Sequence, residues 1–325
     1  MRSIIRKLLP SSSDRQIALA AMLLAIVLSR MTPIISRALY SEGWDPPVLY
    51  FAVLLVTIVV LGAHEVAAIE MGERWGMTRR DFMGVIVTTL TGGVIGPMLF
   101  FTGLRTVTAS DSIVLTSLLP FFVVCFAVIF LNERFSLQTM TGGILLLFSV
   151  VVVIWPDIFA MNLKHGAILM ILSSVFNALT TIVHKKYIEH RHLDSIILVR
   201  TILSAVLVGT WLLITKPDSL SILAAPQNIW LFLALPVCGS ILPFFLYFGS
   251  LRQGHIKAMD AGFVSAMGRV IGIALAVSLL GETLTPFHSV SVVLMVAGIV
   301  VINVPLTKWR IIPSRLSDIF GSFGK

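Results

Sequence analysis

An arginine in the middle of a long apolar run is the first residue here whose chemistry needs explaining. Arg269 lies almost midway between Lys257 and Glu282 in such a run. A guanidinium at that depth in hydrocarbon costs at least ~2.5 kcal/mol on insertion scales, so it must face a helix-bundle interior and meet an anion, water or backbone carbonyls. Its planar fork of donors suits a carboxylate or a phosphate. The competing use is a structural salt bridge, yet no acidic residue occupies the centre of any apolar run. Asp260 and Glu282 stand on the same segment, roughly 13 and 20 Å away along a helix axis at ~1.5 Å per residue. Arg30, in Leu28-Ser-Arg-Met-Thr-Pro33, is the second candidate substrate ligand. Ser29 and Pro33 loosen the helix around it, and snorkelling past Pro33 is its alternative. Arg200, only about six residues inside its run, reads as a snorkelling residue. Ser174 and Asn177, with Ser173, place polar groups at helical spacing in mid-run, either as cavity lining or as glue between helices.

A second set of residues suits motion rather than binding. Asp111 and Asp260 each stand near a helix start, as gate residues meeting Arg105 or Arg252, or as simple N-caps. Gly93 and Pro97 interrupt one apolar run, with Gly92 and Gly96; Gly239 and Pro243 interrupt another, with Pro236 and Gly249. Paired interruptions in corresponding segments point to hinges beside a binding site, and close packing through small residues is the other explanation. Glu133 and Glu282 end their helices and read as connecting residues. For catalysis there is nothing: no Walker A, HExxH or GxSxG sequence, and no acidic pair at metal spacing. The histidines fall at run ends or loops, where solvation accounts for them. No enzyme activity, cofactor or metal is expected.

These residues must be positioned by a membrane body. Of 325 residues, 57% are hydrophobic and only 12% charged, which excludes an ordinary soluble domain. Apolar runs at about 16–38, 47–64, 82–103, 107–131, 137–155, 165–184, 195–214, 229–250, 257–280 and 285–305 are each long enough to cross ~30 Å of hydrocarbon as a helix. No loop is long enough for a soluble domain, and the first run lacks a cleavage site, so it is expected to be retained as a span. Cys125 and Cys238 both fall inside runs and imply neither a disulfide framework nor a metal site. Trp44, Trp155, Trp230 and Trp309 stand near run ends, as an interfacial belt does.

The net charge of +8 is distributed by side. The N-terminal segment, the even loops and the C-terminal tail hold 17 of the 24 Lys and Arg residues, and the odd loops hold four. By the positive-inside rule both termini are cytoplasmic, as an even number of crossings requires. No clustered basic surface exists for nucleic acid. The chain also contains one unit twice. Asp111, Glu133 and Pro156 recur as Asp260, Glu282 and Pro305, each pair 149 positions apart. An odd number of spans per unit forces the second to enter the membrane from the opposite side.

The two unit ends carry a family resemblance. The first reads Pro120-Phe-Phe-Val-Val-Cys-Phe-Ala-Val-Ile-Phe-Leu-Asn-Glu133 before a helix with Gly142 and Gly143; the second reads Ala276-Val-Ser-Leu-Leu-Gly-Glu282 before a helix with Gly298. On these motifs the chain resembles the drug/metabolite transporter superfamily, in the type with two EamA-like domains. The resemblance implies an all-α membrane protein of ten transmembrane helices as two inverted five-helix repeats around a central cavity, moving small metabolites by alternating access. On this reading 1–15 is a cytoplasmic N-terminal segment, 16–156 and 164–305 are the repeats, and 306–325 is a basic cytoplasmic tail. One departure stands out: where the first repeat has Pro120, the second has Arg269. The family usually has proline or an apolar residue there, so no relative's substrate transfers.

The expectation is a secondary transporter in the bacterial inner membrane, moving a small organic metabolite with an anionic group, as a monomer or homodimer in the lipid bilayer. Two alternatives remain open on the residues. One is an exporter of neutral or cationic metabolites or amino acids with Arg269 structural. The other is a non-transporting lipid-handling or scaffold component.

Overall fold

In hydrocarbon a chain must satisfy its own backbone, and a helix does so within one segment. The computed structural model describes residues 14–70, 79–132, 137–159, 165–188, 193–223, 229–251 and 258–303, and among these there is no strand. Eight helices are long and apolar enough to cross a membrane: α1 (Ile17–Ser41), α2 (Pro46–Val66), α3 (Asp81–Leu104), α4 (Ala109–Leu131), α5 (Leu137–Pro156), α6 (His165–Tyr187), α7 (Ile196–Thr215) and α8 (Ile229–Leu246). Two more apolar stretches, Val264–Leu280 and Pro286–Ile302, are shorter. They belong to α9 (Ala258–Leu280) and α10 (Pro286–Asn303). A short 3₁₀ segment, Pro217–Leu223, follows α7.

Several helices are broken where the sequence weakens them. α1 turns at Arg30, between helical pieces ending at Ser29 and starting at Met31. α3 widens to a π-helix over Thr89–Ile95, just before Pro97, and α8 does the same over Val237–Ile241, just before Pro243. Proline removes an intrahelical donor and clashes with the preceding turn; a widened turn accommodates both. In α4 a 3₁₀ turn, Thr116–Leu118, precedes Pro120.

The helices pair in a regular way. α5 runs along α10, α2 along α7, and α4 meets α9; α1 lies against α8 and α9, and α6 against α3 and α4. Shifting every label by five turns this set of pairs into itself. One apolar core joins α1, α2, α3, α7 and α8 through residues such as Leu39, Leu49, Phe101, Leu212 and Leu235. A second, with Leu104, Leu118, Leu146, Met170 and Met295, is built mainly from α4, α5, α6, α9 and α10. Each core mixes residues from both halves of the chain.

The α5–α10 pair brings backbones together. A Cβ on Gly142 would stand 2.7 Å from the Gly298 carbonyl oxygen, and one on Gly298 would stand 2.8 Å from that of Gly142. Small residues permit such approach. Gly142→Ala is therefore expected to lower stability by ~1–3 kcal/mol, as overpacking does. Gly62→Ala, with nothing within 4 Å of the new methyl, is expected to be neutral or stabilising. Melting temperatures in detergent decide between the two signs.

Left-handed residues end two helices. Asn132, with φ 54°, closes α4, and Gly281, with φ 66°, closes α9. They are 149 positions apart, and each precedes a glutamate, Glu133 or Glu282. A left-handed residue is a common helix stop. Two tryptophans fit the interfacial expectation, Trp155 and Trp230 being exposed, the latter 82%. Trp44 does not. The turn at Gly43 (φ 93°) carries it inward, where it is 2% exposed and stacked on Phe232 at 5.2 Å. Trp309 lies outside the described residues.

Candidate functional site

The α1–α9 interface brings the two foremost candidate ligands together. Gly268 and Gly272 form a small-xxx-small face on α9 with Arg269 between them. A Cβ on Gly268 would meet Ile26, and one on Gly272 would lie 2.8 and 2.9 Å from Cβ and Cγ of Arg30. Ile26 faces Gly268 as Arg30 faces Gly272, so the two helices run parallel in register here. Arg30 thus lays its stem on α9 about one turn from Arg269, and its charge acts on Arg269.

Arg269 is 6% exposed. Its Nη1 lies 3.3 Å from the Ser265 hydroxyl, one turn back on its own helix. Its Nε and the Nε of Arg30 are both buried without a hydrogen-bond partner. Among the described residues, no carboxylate pairs with either guanidinium; ion pairs such as Arg37–Glu282, Arg105–Asp45, Lys216–Asp45 and His288–Asp111 lie elsewhere. A buried charge without a counter-ion is expensive. Chemically, the arrangement is two guanidinium groups about a turn apart, each with a buried Nε donor that has no partner. Gly272→Ala would push Arg30 off α9 without deleting any polar atom. The expected outcome is weaker ligand stabilisation of the purified protein, with ligand-independent melting lowered by a few degrees at most.

Asn177 lies elsewhere, on the face of α6 that meets Gly96 of α3, and Ser174 is buried on the same helix. Ser174 Oγ donates to the Met170 carbonyl at 3.2 Å. Asn177 Nδ2 donates to the Ser173 carbonyl at 2.9 Å and packs against Gly96, while Ser173 Oγ donates to the Gly96 carbonyl at 2.8 Å. Ser173 and Asn177 thus join α6 to α3 at Gly96, just past its widened turn. Gly93 and Pro97 stand at that widening: a Cβ on Gly93 would meet Ser204 of α7, and the Gly93 carbonyl accepts from Tyr50 Oη at 2.6 Å. In α8, Gly239 packs on Thr32 of α1, two residues beyond Arg30, and Pro243 follows it.

Arg200 is part-buried. Its stem packs near Gly93, its charge acts on the buried Tyr50, and its Nη1 lies 3.4 Å from His184 Nε2. His184 is correspondingly half-buried rather than solvated.

At the other end of α9, polar groups join both halves of the chain. Glu282 accepts from the Ala109 amide at 2.6 Å, the Ser110 amide at 2.9 Å and the Ser110 hydroxyl at 2.6 Å. It therefore caps α4, whose free amides favour a carboxylate. Arg37 stands 4.0 Å from Glu282 and donates to the Val107 carbonyl. Asp111 meets His288 Nε2 at 2.8 Å, while Arg105 lies 3.7 Å from Asp45. Thr108, not Asp111, is the N-cap of α4, its hydroxyl accepting from the Asp111 amide at 3.0 Å. Asp260 lies in the first turn of α9, but its side chain, like Glu133 and Arg252, lies outside what is described.

With this geometry in hand, comparison with known proteins gives a consistent result. An archaeal protein named as an uncharacterised transporter, from Methanothermobacter thermautotrophicus, is 23% identical over 229 residues, covering 69% of this chain and 65% of that protein's own length. A solved crystal structure superposes with a TM-score of 0.59 over 89% of this chain and 96% of the other, at 17% identity, a likeness of fold alone. The EamA-like transporter family matches twice, over residues 16–155 and 164–304. A double match covering most of the chain settles its affiliation: the protein belongs to the EamA-like transporter family.

Proposed function

We propose that the protein is a secondary transporter that carries a small organic anion across the bacterial inner membrane by alternating access. Its body is two inverted five-helix repeats, 16–156 and 164–305, between a cytoplasmic segment 1–15 and a cytoplasmic tail 306–325. Three features support the inverted pairing: the 149-residue register, the helix pairs that exchange under a shift of five, and the matched left-handed stops at Asn132 and Gly281. The charge distribution puts the Glu282 end outside. There the Glu282 cap and the Arg37 contact bind the two halves, as a closed gate requires. The π-widened turns at Gly93 and Gly239, each followed by a proline, are the bending points.

The observation that carries the anionic reading is Arg269, nearly fully buried, with an unpartnered Nε and a second arginine beside it. The test is a thermal-stability screen of the detergent-purified protein against anionic, neutral and cationic metabolites, beside Arg269→Met. A ligand at ~100 times its dissociation constant adds about 2.7 kcal/mol to the folded state, a readable shift. Anions are expected to stabilise the wild type and leave Arg269→Met unmoved. Stabilisation of both forms by neutral or cationic compounds alone would remove the anionic part of the reading.

A further inference from the structure

We propose that the α1–α9 interface is a two-arginine subsite for a doubly charged anion, a phosphate monoester or a compact dicarboxylate, held by Arg30 and Arg269 together. This rests on the anion reading above and narrows it. Three observations carry it. First, the parallel register of Ile26 and Arg30 against Gly268 and Gly272 seats the stem of Arg30 on the turn of α9 that follows Arg269. Helical side chains lean toward their helix N-terminus, so in two parallel helices both heads lean the same way, the head of Arg30 toward the level of Arg269. Arg269 follows this lean, reaching back to Ser265. Second, each guanidinium has a buried Nε without a partner. Third, among the described residues no carboxylate pairs with either group.

The charge balance then selects the ligand class. Two like charges side by side in a water-poor interior repel, and a single negative charge compensates only one of them. A dianion compensates both, and its several oxygens match two planar forks. An amino acid suits the site less: its carboxylate would serve one arginine, while its ammonium would face the other without a described acid to receive it.

The probes form a matched series on one carbon skeleton: glycerol 3-phosphate, glycerate and glycerol, with malate as the dicarboxylate arm. Binding is measured by titration calorimetry on the full-length protein in detergent. Wild type is expected to bind glycerol 3-phosphate, malate or both at least ~30-fold more tightly than glycerate, and glycerol not at all. A phosphate ligand is further expected to gain affinity between pH 5 and pH 7.5, as its second proton, with a pKa near ~6, leaves; the better arm names the source of the dianion. In Arg30→Gln the ratio of dianion to monoanion affinity should collapse to within about threefold, and Arg30→Lys should restore part of it. Equal affinity for glycerate and both dianions in the wild type, or a ratio unchanged in Arg30→Gln, overturns the dianion inference while leaving the anion reading intact. Binding of glycerol alone, or of none of the four, overturns both. If Arg30→Gln does not fold, the wild-type ratios and Arg30→Lys still decide.

Discussion

Replacing Arg269 with methionine is expected to abolish recognition of the transported anion while leaving the protein as stable as before, or more so. The two effects have opposite signs for one physical reason. Arg269 is 6% exposed, with its Nε unpartnered and Arg30 nearby, so the empty protein bears an uncompensated buried charge. Methionine of similar length removes that burden, and buried ionic groups replaced by apolar ones are often neutral or stabilising by ~1–4 kcal/mol. Losing one partner of a buried, hydrogen-bonded charge pair costs about 2–5 kcal/mol of binding. At 1.4 kcal/mol per decade that is roughly 30- to 4,000-fold in affinity. A structural salt bridge predicts the reverse on stability, a loss of ~3–5 kcal/mol from breaking a buried pair. Melting temperature and ligand titration on one preparation separate the two.

Glu282→Gln should open the outer gate. The carboxylate accepts two backbone amides and one hydroxyl of α4 and lies 4.0 Å from Arg37. Glutamine keeps the shape, but it loses the charge and one acceptor oxygen. Hydrogen bonds to charged groups are worth ~1.5–3 kcal/mol each, whereas the Arg37 pair, a third exposed on the arginine side, adds little. A net loss of about 2–3 kcal/mol of closure would raise the population of the open form roughly 30- to 150-fold. Ser36, fully buried beside Arg37, is the reporter position. In a background with Cys125 and Cys238 replaced by alanine, Ser36→Cys should react with a membrane-impermeant maleimide from outside at least tenfold faster when Glu282→Gln is added. A fall in melting temperature with unchanged labelling would make the Glu282 contact a structural cap and no gate.

Much of this fold is written in run lengths and in glycine and proline positions. Among the described residues, eight of the ten apolar runs coincide with helices long and apolar enough to cross a membrane and the last two with shorter apolar helices, because a membrane permits few alternatives for an apolar stretch of about twenty residues. The breaks in α3 and α8 follow from Gly93–Pro97 and Gly239–Pro243, and the burial of Arg269 follows from its depth. What escaped was long-range. Glu282 meets Ala109 and Ser110 across more than 170 residues. A helix-ending glutamate gives no sign of which distant helix it will cap. His288 was read as solvated because it sits at a helix start, yet that start abuts α4 and Asp111. The closeness of Arg30 and Arg269 depends on Gly268 and Gly272, which look unremarkable until α1 is known to lie against them. The spacing of Ser174 and Asn177 does not show that both bond back to carbonyls of their own helix, one turn earlier.

The central claim is that an anion crosses the membrane while held by Arg269, and counterflow in proteoliposomes tests it most directly. Liposomes carrying purified protein are loaded with the unlabelled best-binding anion, diluted, and given a trace of the same anion radiolabelled. The account predicts transient accumulation of label with the wild type and none above empty liposomes with Arg269→Met, although the variant melts at the same temperature or higher. Equal accumulation with both proteins, or none with the wild type, would contradict it.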